Sequence, residues 1–248
     1  MKRILLVAAL PFLVTGCSGS EPPEQVAETS SPTPVQTTAA PSCPNQNEAV
    51  TDASMRTGSP GSGDVDGDGN VDSVAIHFDP AGEPGCQAFV VSESASGVAA
   101  APLETWRADF GLPAPTVNTL QEVDGEPGLE VVVNMGAGAS AQFVGIVTSE
   151  DGVLAQVTTE AGEHTVGDGL LGYGGSVGHL EAVDCAPEGG IVSSFAAPFG
   201  RVYRVERRFL VFDGARLVED RVETARASLA QIDRFPEYAA SPFGSCSD

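Results

Sequence analysis

The chain has 248 residues, with 34 acidic side chains against 12 basic ones and a formal net charge of −22 at pH 7. That balance argues against nucleic acid and anionic membrane surfaces as electrostatic partners, and it favours cations. The length leaves room for one domain with a substantial core, or two small ones. At the N-terminus, Lys2 and Arg3 precede an apolar stretch from Ile4 to Val14, which runs into Val14-Thr15-Gly16-Cys17. A positive start, a short apolar core and small residues before a cut site read as a secretory signal peptide. The run falls short of the roughly 20 apolar residues that a membrane-spanning helix needs.

The Cys that follows the small residue resembles the bacterial lipoprotein signal. The resemblance implies a signal peptide over residues 1–16, acyl chains such as palmitate on Cys17, and a place at the cell membrane on its extracytoplasmic face. Two or three chains would give stable anchoring where one is marginal. Residues 17–42 are then the anchor and a disordered tether. Ser18 to Ser42 is rich in Ser, Thr and Pro and nearly free of large apolar side chains, so it has too little to bury to offset its ordering entropy. As a flexible coil it would span roughly 25–30 Å. Without Lys2 and Arg3 the remaining chain holds ten Arg and 34 acids, a formal charge of −24.

Residues 43–248 form the expected folded domain. Four cysteines remain in it, Cys43, Cys86, Cys185 and Cys246, an even number suited to two disulfides in an oxidising compartment. Three connectivities are open. Cys43–Cys246 with Cys86–Cys185 is favoured, the first tying the domain ends and the second joining two repeats. No pair has the spacing of zinc ligands.

Val-Asp recurs at Val65-Asp66, Val123-Asp124 and Val183-Asp184, with the aspartates 58 and 60 residues apart. Each copy is an acidic, Gly-rich turn leading into a β-branched run, which predicts three repeats of about sixty residues. Val74 to Phe78, Ala88 to Val91, Glu130 to Met135, Phe143 to Thr148 and Val202 to Phe212 read as strands. Asp151-Gly152 and Asp213-Gly214 sit between apolar runs and predict hairpins. The best helix candidate is Arg221 to Phe235, where Val222, Ala225, Leu229 and Ile232 fall at helical spacing. The expected class is all-β with at most one late helix.

The first acidic turn is the most specific motif. Asp64, Asp66, Asp68, Asn70 and Asp72 alternate along the chain with Gly67 and Gly69 among them. Calcium takes six to eight oxygen ligands at about 2.3–2.6 Å, and a tight loop with carboxylates at positions one, three and five aims them at one centre. Position seven donates a backbone carbonyl, and Asp72 at position nine closes the shell. An EF-hand would need Glu at position twelve, where Ala75 stands. Gly63 to Ile76 resembles the loop of FG-GAP and VCBS-type repeats, in which Asp at positions one, three, five and nine precedes a β-branched strand. The resemblance implies calcium as ligand and propeller-blade-like units, too few here to close a propeller, which takes four to eight. In the second loop Glu122, Asp124, Glu126 and Glu130 replace the pattern, and Pro127 stands where the bend Gly should be; no tight site is expected. The third loop has Asp184 alone and is expected to bind nothing.

Gly174-Gly175-Ser176-Val177-Gly178 matches GxSxG, with His179 next. A hydrolase of that type needs a strand–turn–helix context and a His after the acid, and no His follows His179. His77 and His164 are isolated. Trp106, the one Trp, reads as core. Arg201, Arg204, Arg207 and Arg208 make a local basic patch with Glu206 and Glu219 nearby. The expected function is that of a membrane-anchored lipoprotein whose calcium-stabilised β-repeat domain binds a protein or cell-wall polymer or is structural, and is not an enzyme; a surface hydrolase with an unrecognised active site is the alternative.

Overall fold

Acidic glycine-rich turns alternate with β-branched runs, and in the computed structural model they become antiparallel hairpins. The structure describes residues 43–108, 111–159, 169–239 and 241–246. The predicted signal peptide and tether, Cys17 included, and His164 lie outside the described residues.

The first sheet is a four-stranded antiparallel meander of β1 (Arg56–Gly63), β2 (Asp72–Phe78), β3 (Ala88–Ser94) and β4 (Gly97–Pro102). The second has ten strands. It begins with β5 (Thr116–Gln121), β6 (Glu130–Ala137), β7 (Ala141–Glu150) and β8 (Val153–Gln156), followed by the short β9 (Thr158–Thr159). It continues through β10 (Leu171–Ser176), β11 (His179–Cys185), β12 (Ile191–Phe199), β13 (Val202–Phe212) and β14 (Arg216–Ala227). The strand order is β5-β6-β7-β10-β11-β12-β13-β14-β9, with β8 on β7, and β14 with β9 is a parallel pair.

This arrangement overturns the expected set of three propeller-like FG-GAP or VCBS-type repeats. The decisive strand is β7, which forks. Ala141 to Val144 pair with β10, whereas Val147 to Glu150 pair with β8. Blades in a propeller are separate sheets; here the fork fuses the second and third sixty-residue stretches into one sheet. What does recur is a hairpin closure. Gly63↔Asp72 closes β1–β2 and Gln121↔Glu130 closes β5–β6, each across the same loop length. The third Val-Asp lies inside β11 rather than in a loop. With the repeats goes the expected calcium-stabilised β-repeat domain.

The β6–β7 hairpin is buried on both faces. Val131, Val133, Met135 and Val147 pack with Val74, Ile76, Val90, Leu103 and Trp106 on one side. Val132, Val144 and Ile146 pack with Leu171, Val183, Ile191, Leu210 and Leu217 on the other. A strand with two buried faces reads as a continuous apolar run, as Val131-Val132-Val133 does. Trp106 is in the core at 2% exposure, edge-on to Phe78 at 5.1 Å.

The expected late helix does not form. Arg221 to Ala227 belong to β14, held in register along β13, and Leu229–Arg234 is only a 3-10 segment. Long-range pairing outweighs weak helical spacing. A short helix α1 (Gln46–Thr51) instead opens the described domain, and a four-residue α2 (Pro236–Ala239) lies near its end. Two disulfides form, but not in the favoured pairing: Cys43–Cys86 and Cys185–Cys246. The reason is topological. The N-terminal segment docks against β3, with Cys43, Ala49, Phe89 and Val91 in one cluster, while the C-terminal tail docks beside the end of β11. Each end of the described domain is therefore stapled to its own sheet.

Candidate metal centre

The β1–β2 loop is built around one buried anchor at each end. Val65, at 2% exposure, inserts into the first core. Asp72, at 1%, turns its carboxylate back under the loop, where Oδ2 accepts the N–H of Val65 at 2.9 Å and of Asp66 at 3.3 Å. Asp64 Oδ2 accepts the N–H of Gly69 at 2.9 Å. Asp66 is tied at both oxygens, to the N–H of Asp68 and to Ser96 Oγ in the β3–β4 turn.

These bonds leave a matched pair of oxygens over. Asp64 Oδ1 and Asp72 Oδ1 are buried and have no hydrogen-bond partner. Asp64, Asp66 and Asp72 offer ligand atoms that all lie within 4.8 Å of one another. Three carboxylates so placed repel one another, and a buried unpaired oxygen costs on the order of 1–3 kcal/mol or more. A divalent cation removes both penalties, and the residues fit one: the donors are hard oxygens, the kind that calcium, magnesium and manganese prefer over zinc. Asp68 and Asn70 do not join the cluster. Both are exposed, and Asp68 turns its Oδ1 to the N–H of Asn70 at 2.7 Å, a bond that holds its carboxyl below the usual value. Alternating spacing brings the first, second and last of the five predicted ligands together and points the middle two outward.

The loop is fixed against its counterpart in the second sheet. The N–H of Leu129 bonds to the carbonyl of Asp64 at 2.8 Å. Gly67 has φ +72°, and a Cβ there would lie 2.5 Å from the carbonyl oxygen of Pro127. The position requires glycine on both counts. An acidic recess of about 680 Å³ opens between the loops, with Asp66, Asp124, Glu126, Glu150 and Asp151 on its walls.

The second loop solves the same closure with a longer side chain. Glu130 Oε2 accepts the N–H of Val123 at 2.7 Å, seven residues back, as Asp72 does with Val65. Thr148 Oγ1 lies 3.5 Å from its other oxygen and 3.4 Å from Asp124 Oδ2. Burial, reinforced by the Asp124 charge, pushes the Glu130 carboxyl up to about 7.

The GxSxG segment forms the β10–β11 hairpin, with Ser176 paired to His179, rather than a strand–turn–helix elbow. Ser176 Oγ accepts the N–H of Gly178, while His179 Nε2 lies 3.4 Å from both Ser140 Oγ and Glu181 Oε1. His77 is buried in β2, its Nδ1 on the carbonyl of Ala49 at 2.7 Å. In the basic patch Arg208 pairs with Glu206 and Glu219, and Arg207 with Glu223 and the buried Glu237.

No family model, curated protein or solved structure matches the chain. Neither the FG-GAP and VCBS resemblance nor the lipoprotein one gains support there, and the two-sheet architecture contradicts the first. Among the described residues no helix is long and apolar enough to cross a membrane.

Proposed function

We propose that the chain is a cation-binding β domain whose Asp64–Asp72 loop takes calcium. The observation behind this reading is that Asp64 and Asp72 each keep a buried, unpartnered oxygen, while Asp64, Asp66 and Asp72 bring carboxylate oxygens within 4.8 Å of one another. Calcium suits the site better than magnesium. A loop that adds backbone carbonyls and water to three carboxylates matches calcium's irregular shell, whereas magnesium demands near-ideal octahedral geometry. Two disulfides fit an oxidising compartment, in keeping with display on the extracytoplasmic face from a lipid on Cys17. The role is binding rather than turnover, toward a protein or a cell-wall polymer; the net charge of −22 disfavours nucleic acid.

Calorimetric titration of the full chain with calcium and with magnesium tests the reading. One calcium site is expected, with magnesium weaker, and Asp66→Ala should lower calcium affinity at least about tenfold, the loss of one charged ligand at about 1.4 kcal/mol or more. No heat with either ion, or an unchanged affinity in Asp66→Ala, overturns it.

A further inference from the structure

Asp184, the aspartate of the third Val-Asp pair, has surroundings unlike those of Asp66 and Asp124. It lies in β11 at 1% exposure. Its Oδ1 accepts two N–H groups, those of Cys185 and Ser245, both at 2.9 Å. Its Oδ2 is buried and has no partner. The residue lines a recess of about 440 Å³ where the β5–β6 loop, the β11–β12 turn and the C-terminal segment meet. That size is within the range of small-molecule sites, about 300–1,000 Å³.

The charge in the recess is one-sided. Glu122 and Asp184 line it, together with Glu237 and Arg207, which form a pair whose charges cancel. The Arg207 guanidinium is already committed, to both oxygens of Glu237 at 2.8 and 3.1 Å and to Glu223 at 3.0 Å. The remaining walls include Val123, Pro187 and Val192, so a polar tip with an apolar stem suits the space. A bare divalent ion does not. Among the described residues the one group of three ligand-bearing side chains within reach of each other is Asp64, Asp66 and Asp72, and Asp184 lacks such companions. A buried carboxylate oxygen calls for a donor, and an N–H cation satisfies it with a single charge-assisted bond.

We propose that this recess binds a compact organic cation, a primary ammonium or guanidinium on a short apolar stem, with its N–H on Asp184 Oδ2. The site is separate from the Asp64–Asp72 loop and stands or falls without it. The same chemistry occurs in a free amine and in a lysine side chain, and the assay separates the two.

The test is an NMR titration of the full chain with n-butylammonium, n-butylguanidinium, the methylamide of Nα-acetyl-lysine, tetramethylammonium and n-butanol. The first three should bind and move the amide resonances of Cys185 and Ser245, whose N–H groups share the Asp184 carboxylate. Tetramethylammonium, which has charge without donors, and butanol, which has a donor without charge, should bind at least about tenfold more weakly. Tighter binding of the lysine derivative than of butylammonium assigns a peptide side chain as ligand; equal or weaker binding assigns a free amine. Asp184→Asn should lose about tenfold or more in affinity, the worth of a hydrogen bond to a charged group. If that variant does not fold, the two amide shifts in the parent decide. No binding at millimolar concentration, equal binding of tetramethylammonium, or binding that leaves both amides unmoved overturns the proposal.

Discussion

Glu130→Gln isolates the most perturbed carboxyl of the paired loops. In the folded protein Glu130 is 3% exposed and titrates at about 7 rather than 4.5, first because it is buried and second because Asp124 is near. Between those two values the folded state keeps a proton that the unfolded chain has released. The associated stability is therefore fully present below pH 4.5, falls as pH rises, and is gone above about 7.5. Each pH unit across that window is worth about 1.4 kcal/mol, so the whole loss is about 3 kcal/mol. Gln mimics the protonated acid: its carbonyl can accept from Val123, and its amide can donate toward Asp124. Urea unfolding of parent and variant in chelator, from pH 4 to 8.5, measures the difference and cancels the background repulsion of the other acids. The variant should approach the parent at low pH and exceed its stability by up to about 3 kcal/mol at pH 8. A difference that stays constant across the series refutes the reasoning.

Gly67→Ala forces a Cβ against the Pro127 carbonyl and a strained φ at once; it should destabilise by about 1–3 kcal/mol and weaken cation binding, read by melting with and without calcium. Replacing Cys185 and Cys246 by Ser reopens a loop of sequence separation 61 and should cost about 4 kcal/mol in denaturant unfolding. Trp106→Ala empties a core site shared by both sheets and should cost about 3–5 kcal/mol in the same assay.

The apolar strands were legible because their burial is simple. The predicted strand Val202 to Phe212 coincides with β13 at both ends, and Asp151-Gly152 and Asp213-Gly214 both close hairpins, with Asp151 and Gly152 at φ +50° and +76°. β1 was illegible, since Arg56–Gly63 has no strong β-former beyond Thr57. Its pairing comes from β2, and its bare surface admits Leu120, whose Cδ1 would lie 2.4 Å from a Cβ at position 61. Repeat spacing suggested blades because hairpin closure recurs, but the fork in β7 is a long-range event with no local signal. Asp64, Asp66 and Asp72 could be picked from spacing; that Asp68 and Asn70 face outward depends on Val65 and Asp72 pulling the loop inward. Asp184 reads as inert in the sequence because its surroundings are set from a distance: Ser245, 61 residues away, binds its Oδ1 and leaves Oδ2 unpaired.

The central claim is that the carboxylates of the β1–β2 loop hold calcium. Thermal unfolding of the full chain in excess calcium and in chelator tests it most directly, with Asp64→Asn as control. At a calcium concentration a hundredfold above the dissociation constant, binding adds about 2.7 kcal/mol, or roughly 5–10 °C in Tm for a domain of this size. That shift is expected in the parent and is lost in Asp64→Asn. Identical melting of the parent in calcium and in chelator contradicts it.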